Sequence, residues 1–231
     1  MAREVSHPFS LAWALFVMSV LYQCRGEEGL AMEQTDALVT LTTEQGFVFY
    51  RALAIIQSGW ALAALGRGEE GITRIRKGLA TVSETGAAAR PYALPLLADA
   101  YGRAGQAKEG LAVLAEAMEL VEKNEIRTFE AELHRLKGIL TIQSQTSSKS
   151  SKVEPEAEAC FLKAVEIAQC QQARSLELRA TTSLARLLMK QGRHDEARSV
   201  LTEIYGWFTE GFDTHDLQEA RQHFDELDQE F

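Results

Sequence analysis

The feature that most constrains the fold of this chain is an internal repeat with a period of about 40 residues. Five times along the sequence, a short polar turn is followed by a glutamate and then by a small residue at which an apolar helical pattern resumes. These small residues are Gly29, Gly71, Gly110, Ala157 and Ala197, so the successive spacings are 42, 39, 47 and 40 positions. A repeat of this length indicates an array of supersecondary units, each of which buries its apolar face only against its neighbours.

Two helical patterns surround each turn. Leu94, Leu97 and Tyr101 before the third turn, and Ala157 and Phe161 after the fourth, follow the spacing of one helix face. The chain has only four prolines and one asparagine, and it is rich in Ala, Leu, Glu and Gln, which favour helices. Each period therefore predicts a helical hairpin, and the whole chain predicts an all-α fold.

The residues at the expected helix crossings are similar to the tetratricopeptide pattern. Its small-x-x-Tyr element corresponds to Ala98 and Tyr101, and its Ala-x-x-x-Phe-x-x-Ala element to Ala157, Phe161 and Ala164. The small positions expected in the first helices of the hairpins are Gly59, Ala98, Gly138 and Ala185. We therefore predict a right-handed α–α superhelix, a tetratricopeptide-like solenoid of about five hairpins plus a C-terminal capping helix, with a period longer than the usual 34 residues or so.

The predicted organisation is one tetratricopeptide-like domain over residues 1–231. Its hairpins are expected at about 8–46, 47–86, 90–124, 126–172 and 174–208. The Ser/Lys-rich stretch at 144–153 has no apolar periodicity and predicts a flexible loop inside the fourth hairpin. Asp213 is suited to cap a last helix at about 214–228, whose apolar residues share one face and whose acids are expected to face water.

The charge of the chain restricts the class of its partners. The formal net charge is −9, which argues against nucleic acid, because phosphate binding relies on clustered Lys and Arg. From Glu210 onward the chain has eight acids and one base, Arg221, so this segment supplies −7 of the total. The rest of the chain is close to neutral.

The apolar run Phe9–Tyr22 resembles the central part of a signal peptide, but no small-x-small cleavage site follows it. Its length is also too short to span a bilayer, so we predict that it is the first helix of the array, in a cytoplasmic protein without a membrane partner. The three cysteines, Cys24, Cys160 and Cys170, lack metal-binding spacing and predict buried thiols in a reducing compartment.

The stretch from Gly66 to Gly71 satisfies the glycine pattern G-x-G-x-x-G of dinucleotide-binding folds. That pattern needs a preceding strand and a helix N-terminus that accepts a pyrophosphate. Here a helix precedes it, and Glu69 and Glu70 would repel phosphate, so we interpret it as a repeat turn. The sequence predicts no cofactor, no metal site and no catalytic residues.

The candidate binding residues lie on the first helices of the hairpins, which line the concave side in this architecture. When the hairpins are aligned on their small residues, the inward positions are Trp60, Asp99, Arg103, Arg135, Arg179, Arg186 and Lys190. Four arginines and a lysine could receive an acidic peptide or a carboxylate terminus. The alternative is that they are solvated or pair with glutamates of adjacent helices.

Three phrases carry a further resemblance: His7-Pro8-Phe9-Ser10-Leu11-Ala12, the stretch 130–138 (EAELHRLKG) and the stretch 205–214 (YGWFTEGFDT). Together they resemble the C-terminal helical-repeat region of bacterial multidomain signalling proteins. In those proteins a class III adenylate/guanylate cyclase domain or a regulator domain precedes a signalling-type ATPase. The resemblance implies a sensor or oligomerisation arm and no cyclase activity for this chain.

Three non-enzymatic functions remain open at this point. The first is a protein-interaction or scaffolding module whose groove binds a peptide or upstream domains. The second is a small-effector sensor with an apolar pocket around Met18, Leu53 and Trp60. The third is a dimerisation arm that forms a homo-oligomer.

Overall fold

A computed structural model of the chain describes residues 7–85, 89–124, 127–144 and 152–229. These residues form α-helices and no strand, which confirms the all-α class. The helices are α1 Pro8–Cys24, α2 Glu28–Glu44, α3 Val48–Ala64, α4 Gly68–Thr85, α5 Arg90–Arg103, α6 Ala107–Asn124, α7 Glu130–Ser144, α8 Val153–Cys170, α9 Arg174–Lys190, α10 His194–Tyr205 and α11 His215–Gln229. Most of the predicted Ser/Lys loop lies outside the described residues.

The chain divides into two compact units, unit 1 over Met1–Ala117 and unit 2 over Met118–Phe231, and their boundary falls within α6. In unit 1, α1 pairs with α2 and α3 pairs with α4, while α1 contacts α3 and α3 contacts α5. In unit 2, α7 pairs with α8 and α9 pairs with α10, and α9 contacts both α7 and α11. Within each unit the first helices of successive hairpins therefore lie side by side. The five hairpin ranges and the single domain remain a prediction.

Several of the turns between helices share one backbone design. Five of them place a glycine with positive φ just beyond the helix, and the residue that follows donates its N–H to a carbonyl five positions back. The glycines are Gly26, Gly46, Gly66, Gly105 and Gly192. This 6→1 bond is the Schellman motif, which satisfies carbonyls that the helix end leaves without partners. Gly66 follows helix α3, so the glycine pattern of 66–71 is a repeat turn, as predicted.

A sixth turn, between α8 and α9, uses Gln172 at φ 54° in place of glycine. A side chain in this left-handed region costs roughly 1 kcal/mol. We therefore expect Gln172→Gly to raise the free energy of unfolding by about 0.5–1 kcal/mol, measured by urea denaturation. Gly192→Gln, the reverse change in the same unit, should lower the free energy of unfolding by a similar amount. Equal stabilities of both variants and the parent would contradict this account of the turn.

The small residues of the first helices permit close helix crossings, as the sequence predicted. A Cβ atom on Gly59 would lie 2.7 Å from the carbonyl oxygen of Gly71, and one on Gly71 would lie 2.5 Å from that of Gly59. The backbones of α3 and α4 therefore touch at this crossing. In unit 2 a Cβ atom on Gly138 would lie 2.5 Å from the ring of Phe161, so the ring occupies the space that glycine leaves. Ala98 and Ala185 are fully buried.

The prediction of buried thiols was wrong for two cysteines. Cys24 and Cys170 are exposed and only Cys160 is buried. Cys24 and Cys170 are the last residues of α1 and α8, where the packed face of each helix ends. Burial raises the pKa of the Cys160 thiol, so this cysteine stays protonated at neutral pH. Among the residues the structure describes, none of the helices combines the length and apolar character needed to cross a bilayer.

Candidate interaction surface

In unit 1, the structure brings the three candidate residues Trp60, Asp99 and Arg103 together. The Nε1–H of Trp60 on α3 donates to Oδ2 of Asp99 on α5 at 3.0 Å, and Nε–H of Arg103 donates to the same oxygen at 2.9 Å. Trp60 is almost fully buried, so it belongs to the packed interior and not to an open groove. Asp99 therefore joins two successive first helices and neutralises the arginine on its own helix.

A second polar group in unit 1 was missed by the sequence interpretation. Gln57 is fully buried on α3; its Nε2 donates to the carbonyl oxygen of Ser19 at 3.2 Å and to Oε1 of Gln23 at 2.9 Å. Its Oε1 accepts a hydrogen bond from the hydroxyl of Tyr92 on α5, and burial raises the pKa of Tyr92. A polar side chain buried in hydrogen bonds to two neighbouring helices fixes their register. A lone glutamine in the apolar run of α3 was the available signal.

In unit 2, Arg135 and Arg179 form the partly buried centre of a charged cluster. Arg135 on α7 makes two hydrogen bonds to Glu132 on the same helix, at 2.6 and 2.8 Å. Arg179 on α9 donates through Nε to Oδ2 of Asp216 on α11 at 2.6 Å. Each side chain of the Arg179–Asp216 pair keeps only about a fifth of its surface exposed, 21% and 18%. This pair joins α9 to the last helix, α11.

The charges of this cluster are interdependent. Burial alone would raise the pKa of Glu132, but the charge and hydrogen bonds of Arg135, together with the charge of Arg179, outweigh it and lower the pKa of Glu132. Burial would also lower the pKa of Arg179, but Asp216 and Glu132 raise it. Glu132 and Arg179 therefore stay charged at neutral pH, and each of the two arginines has a carboxylate within reach.

The remaining two candidates lie further along α9 and are more open to solvent. Arg186 pairs with Glu219 of α11 and is close to half exposed. Lys190, one turn further on, is exposed and has no ion-pair partner among the described residues. Arg186 and Lys190 are four positions apart, so they lie on the same face of α9. We call these two residues, Arg186 and Lys190, the α9 cationic edge.

The acids of the last helix do not all face water, and this part of the prediction was wrong. Asp216 and Glu219 of α11 turn toward α9 and pair with Arg179 and Arg186. The cause is position: these acids flank the buried stripe of α11, so they lie at the edge of the contact with α9. That stripe consists of Leu217, Ala220, His223 and Leu227. The alternative interpretation, in which carboxylates of an adjacent helix neutralise the arginines, therefore describes Arg179 and Arg186 in this structure.

The apolar residues proposed for an effector pocket do not form one open surface. Leu53 and Trp60 are almost fully buried, whereas Met18 is exposed. A separate groove of about 180 Å³ in unit 2 lies between α8, α9 and α10, with Leu162 at its rim and Leu184 and Ile204 in its wall. Small-molecule pockets are usually larger, roughly 300–1,000 Å³. The volume of this groove lies below that range.

Comparison with known proteins supports the repeat fold. Residues 178–202, which cover parts of α9 and α10, match the tetratricopeptide repeat family. No curated protein sequence is significantly similar to the chain. Two similar solved structures are both from Podosopora anserina: nearly identical tetratricopeptide-like repeats of a protein provisionally assigned as a kinesin light chain, and a single-substitution variant of those repeats.

Both structures align with a TM-score of 0.56 over 87% of this chain. The variant is 19% identical with 95% of its own length covered, and the parent repeats are 18% identical with 96% covered. At this identity the likeness concerns the fold, and it bears out the predicted tetratricopeptide-like architecture. Tetratricopeptide-like arrays are typically non-catalytic modules that bind proteins or peptides, each hairpin contributing a few side chains.

Proposed function

We propose that this chain is a protein-interaction module that binds an acidic peptide segment at the α9 cationic edge. The observation that carries the proposal is the arrangement of Arg186 and Lys190 on one exposed face of α9, beside a helix that already presents carboxylates to that face. An acidic segment would place its carboxylates on these two cations. Charge-assisted hydrogen bonds to arginine are the stronger kind and favour carboxylates over neutral groups.

The candidate residues differ in exposure, and this difference supports placing the ligand contacts on the more open ones. Arg135 and Arg179 are mostly buried with their intramolecular partners, so a ligand could reach them only after an internal ion pair had been broken. Arg186 is closer to solvent, and its partner Glu219 can exchange with a ligand carboxylate. The unit 1 group of Trp60, Asp99 and Arg103 is internally satisfied. We therefore place the ligand contacts at Arg186 and Lys190.

The test is calorimetric titration of the full chain with a deca-glutamate peptide and, separately, with a deca-lysine peptide. We expect the acidic peptide to bind, and the double charge reversal Arg186→Glu with Lys190→Glu to weaken its binding at least about tenfold. The matched control is Lys163→Glu, because Lys163 on α8 is similarly exposed and also paired with a glutamate. This control should change the affinity by less than about twofold.

A second variant distinguishes direct binding from general electrostatic attraction. Glu219→Gln frees Arg186 from its internal partner, so it should strengthen binding of the acidic peptide by more than Glu203→Gln does. Glu203 has the same charge but lies on α10 beside the groove. Equal effects of the two variants, or failure of the acidic peptide to bind the parent chain, would contradict the proposal.

The resemblance described above supports a finer proposal, that the module is a sensor or regulatory arm of a bacterial signalling system containing an ATPase and a cyclase. It would act by binding the catalytic domains of that system or a segment attached to them. The experiment is to add the purified chain to a cyclase–ATPase protein from the same organism and measure ATP hydrolysis. A change in rate that Arg186→Glu abolishes is expected; an unchanged rate at saturating chain would contradict this role.

A further inference from the structure

An apolar stripe on α1 is left uncovered by the described residues of unit 1. Its members recur every four residues, and each is about half exposed: Phe9 50%, Trp13 53%, Val17 43% and Leu21 49%. The opposite face of α1, with Ala12, Leu15 and Ser19, is buried against the rest of the unit. The stripe is therefore a second apolar face, additional to the face that holds the helix in place.

The aromatic members of the stripe are held in position by aromatic neighbours. Phe9 contacts Phe47 and Tyr50 edge to face, with ring centroids 5.9 and 5.3 Å apart. Trp13 contacts Tyr50 and Phe16, at 6.4 and 6.0 Å. Large rings that are already ordered lose little conformational freedom on binding and are common at the energetic centres of protein interfaces.

The exposed apolar area of the α1 stripe is comparable to that of the centre of a protein interface. A Phe or Trp side chain presents roughly 150–250 Å², so Phe9 and Trp13 at half exposure offer roughly 150–250 Å² together, before Val17 and Leu21 are added. Exposed Met18 on α1, and Val48 and Phe49 on α3, enlarge the apolar area of the unit's surface. Apolar patches of a few hundred Å² on a single chain are commonly functional, and a stable dimer buries about 800 Å² on each partner.

We propose that this stripe is the contact surface of a homodimer, with α1 of a second copy as its occupant. Charge is the first argument: α1 has no Asp, Glu, Lys or Arg in its 17 residues. Two copies of a chain with net charge −9 can meet here without repulsion at the contact. A strongly acidic or basic partner would find no complementary charge on α1.

Geometry is the second argument for a second copy. Residues spaced by four along a helix form a ridge, and two such ridges interdigitate at a crossing angle of about −50°. A two-fold axis brings the same ridge from both copies together and closes the assembly at two chains. The middle of the stripe, between Trp13 and Val17, would lie at the crossing, so that each Trp13 packs beside the Val17 of the other copy.

The test is analytical ultracentrifugation of the full chain over a range of concentrations. We expect a species of twice 25.6 kDa, and we expect Trp13→Ala to raise the dimer dissociation constant about 30-fold or more, as for an interface hot spot. Trp207→Ala is the matched control, because Trp207 in unit 2 is similarly exposed, at 56%, and it should leave the dissociation constant unchanged. Circular dichroism should show the same helicity for both variants.

A cross-linking experiment locates the contact. In a background with Cys24→Ser and Cys170→Ser, Val17→Cys should give a disulfide-linked dimer on mild oxidation, and Thr40→Cys, on the exposed side of α2, should not. A monomer at all concentrations, equal effects of Trp13→Ala and Trp207→Ala, or cross-linking at position 40 alone would overturn the proposal. So would a monomer that binds phosphatidylcholine vesicles through Trp13, since this would make the occupant a lipid surface.

Discussion

Replacing Phe161 with alanine is expected to lower the free energy of unfolding by about 3–5 kcal/mol, the range for removal of a large aromatic side chain from a core. Phe161 is 1% exposed, and its cluster in unit 2 includes Leu178 and Leu184 of α9. The ring also fills the space left by Gly138 on α7. Its loss therefore opens a cavity where α7, α8 and α9 meet.

Substitution of Gly138 tests the contact with Phe161, because its effect on the free energy of unfolding should change sign when the ring is removed. In the parent chain, Gly138→Ala should destabilise by about 1–3 kcal/mol, because the new Cβ overlaps the Phe161 ring. In the Phe161→Ala background the same change should stabilise by up to about 1 kcal/mol, since alanine favours helix over glycine. Gly29→Ala, whose Cβ would meet nothing within 4 Å, is the control and should stabilise in both backgrounds. Urea denaturation gives the free energies, and additive effects of the two changes would refute the contact.

The second large effect is expected from Arg179→Met, which should cost about 2–3 kcal/mol at neutral pH. Removal of one partner from a buried ion pair typically costs about 3–5 kcal/mol, and we take a lower value because Arg179 and Asp216 keep about a fifth of their exposure. The loss arises because Asp216 and Glu132 remain charged without their common cation. The double variant Arg179→Met with Asp216→Leu should recover part of the loss, as a double-mutant cycle measures.

The same cluster makes unit 2 sensitive to acid. The pKa of Glu132 is lower in the folded chain than its ordinary value of 4.5. The stability that this carboxylate contributes is therefore present in full above about pH 4.5 and is lost as the pH falls through the folded pKa. We expect Glu132→Gln to be less stable than the parent at neutral pH and the two to converge as the solution is acidified.

Hydrogen exchange of α7 and α9 peptides measured by mass spectrometry localises this effect to unit 2. The control is Glu166→Gln, because Glu166 is exposed and paired with Lys163 on the same helix, where an ion pair contributes little. Its difference from the parent at neutral pH should be small. A difference between Glu132→Gln and the parent that does not change with pH would mean that Glu132 does not titrate as the cluster requires.

Much of the fold could be predicted because the same pattern of apolar and small residues recurs in each repeat. The period of about 40 residues and the small residues Gly59 and Gly138 follow directly from helix spacing, and both glycines lie at close crossings in the structure. One contact also follows the period although it was not predicted: Trp60 on α3 and Asp99 on α5 are 39 positions apart and form a hydrogen bond. Positions one period apart occupy equivalent places on neighbouring first helices.

The electrostatic state of the candidate residues could not be predicted with the same certainty. Whether Arg179 and Arg186 are free or paired depends on how α11 is rotated about its axis, and a rotation of one residue moves Asp216 from α9 into solvent. The apolar stripe of α11 held the information, since Asp216 and Glu219 flank Leu217 and Ala220 in sequence. For Gln57 the sequence marks only a lone polar residue in an apolar helix, and its hydrogen bond with Tyr92 depends on side-chain reach between α3 and α5, which the repeat pattern does not encode.

The short turns have a consequence for the order in which the chain folds. Except between α7 and α8, the helices within a hairpin are joined through three residues, such as Arg25–Gly26–Glu27, so most contacts of such a hairpin are local and form quickly. A ribosome adds about 5–20 residues per second, and one period of about 40 residues emerges in roughly 2–8 s, whereas helices form within about a microsecond. Each hairpin is therefore complete before its successor appears. The apolar face of α9 then stays open until Leu217 and Ala220 of α11 arrive, so this interval carries a risk of aggregation during synthesis.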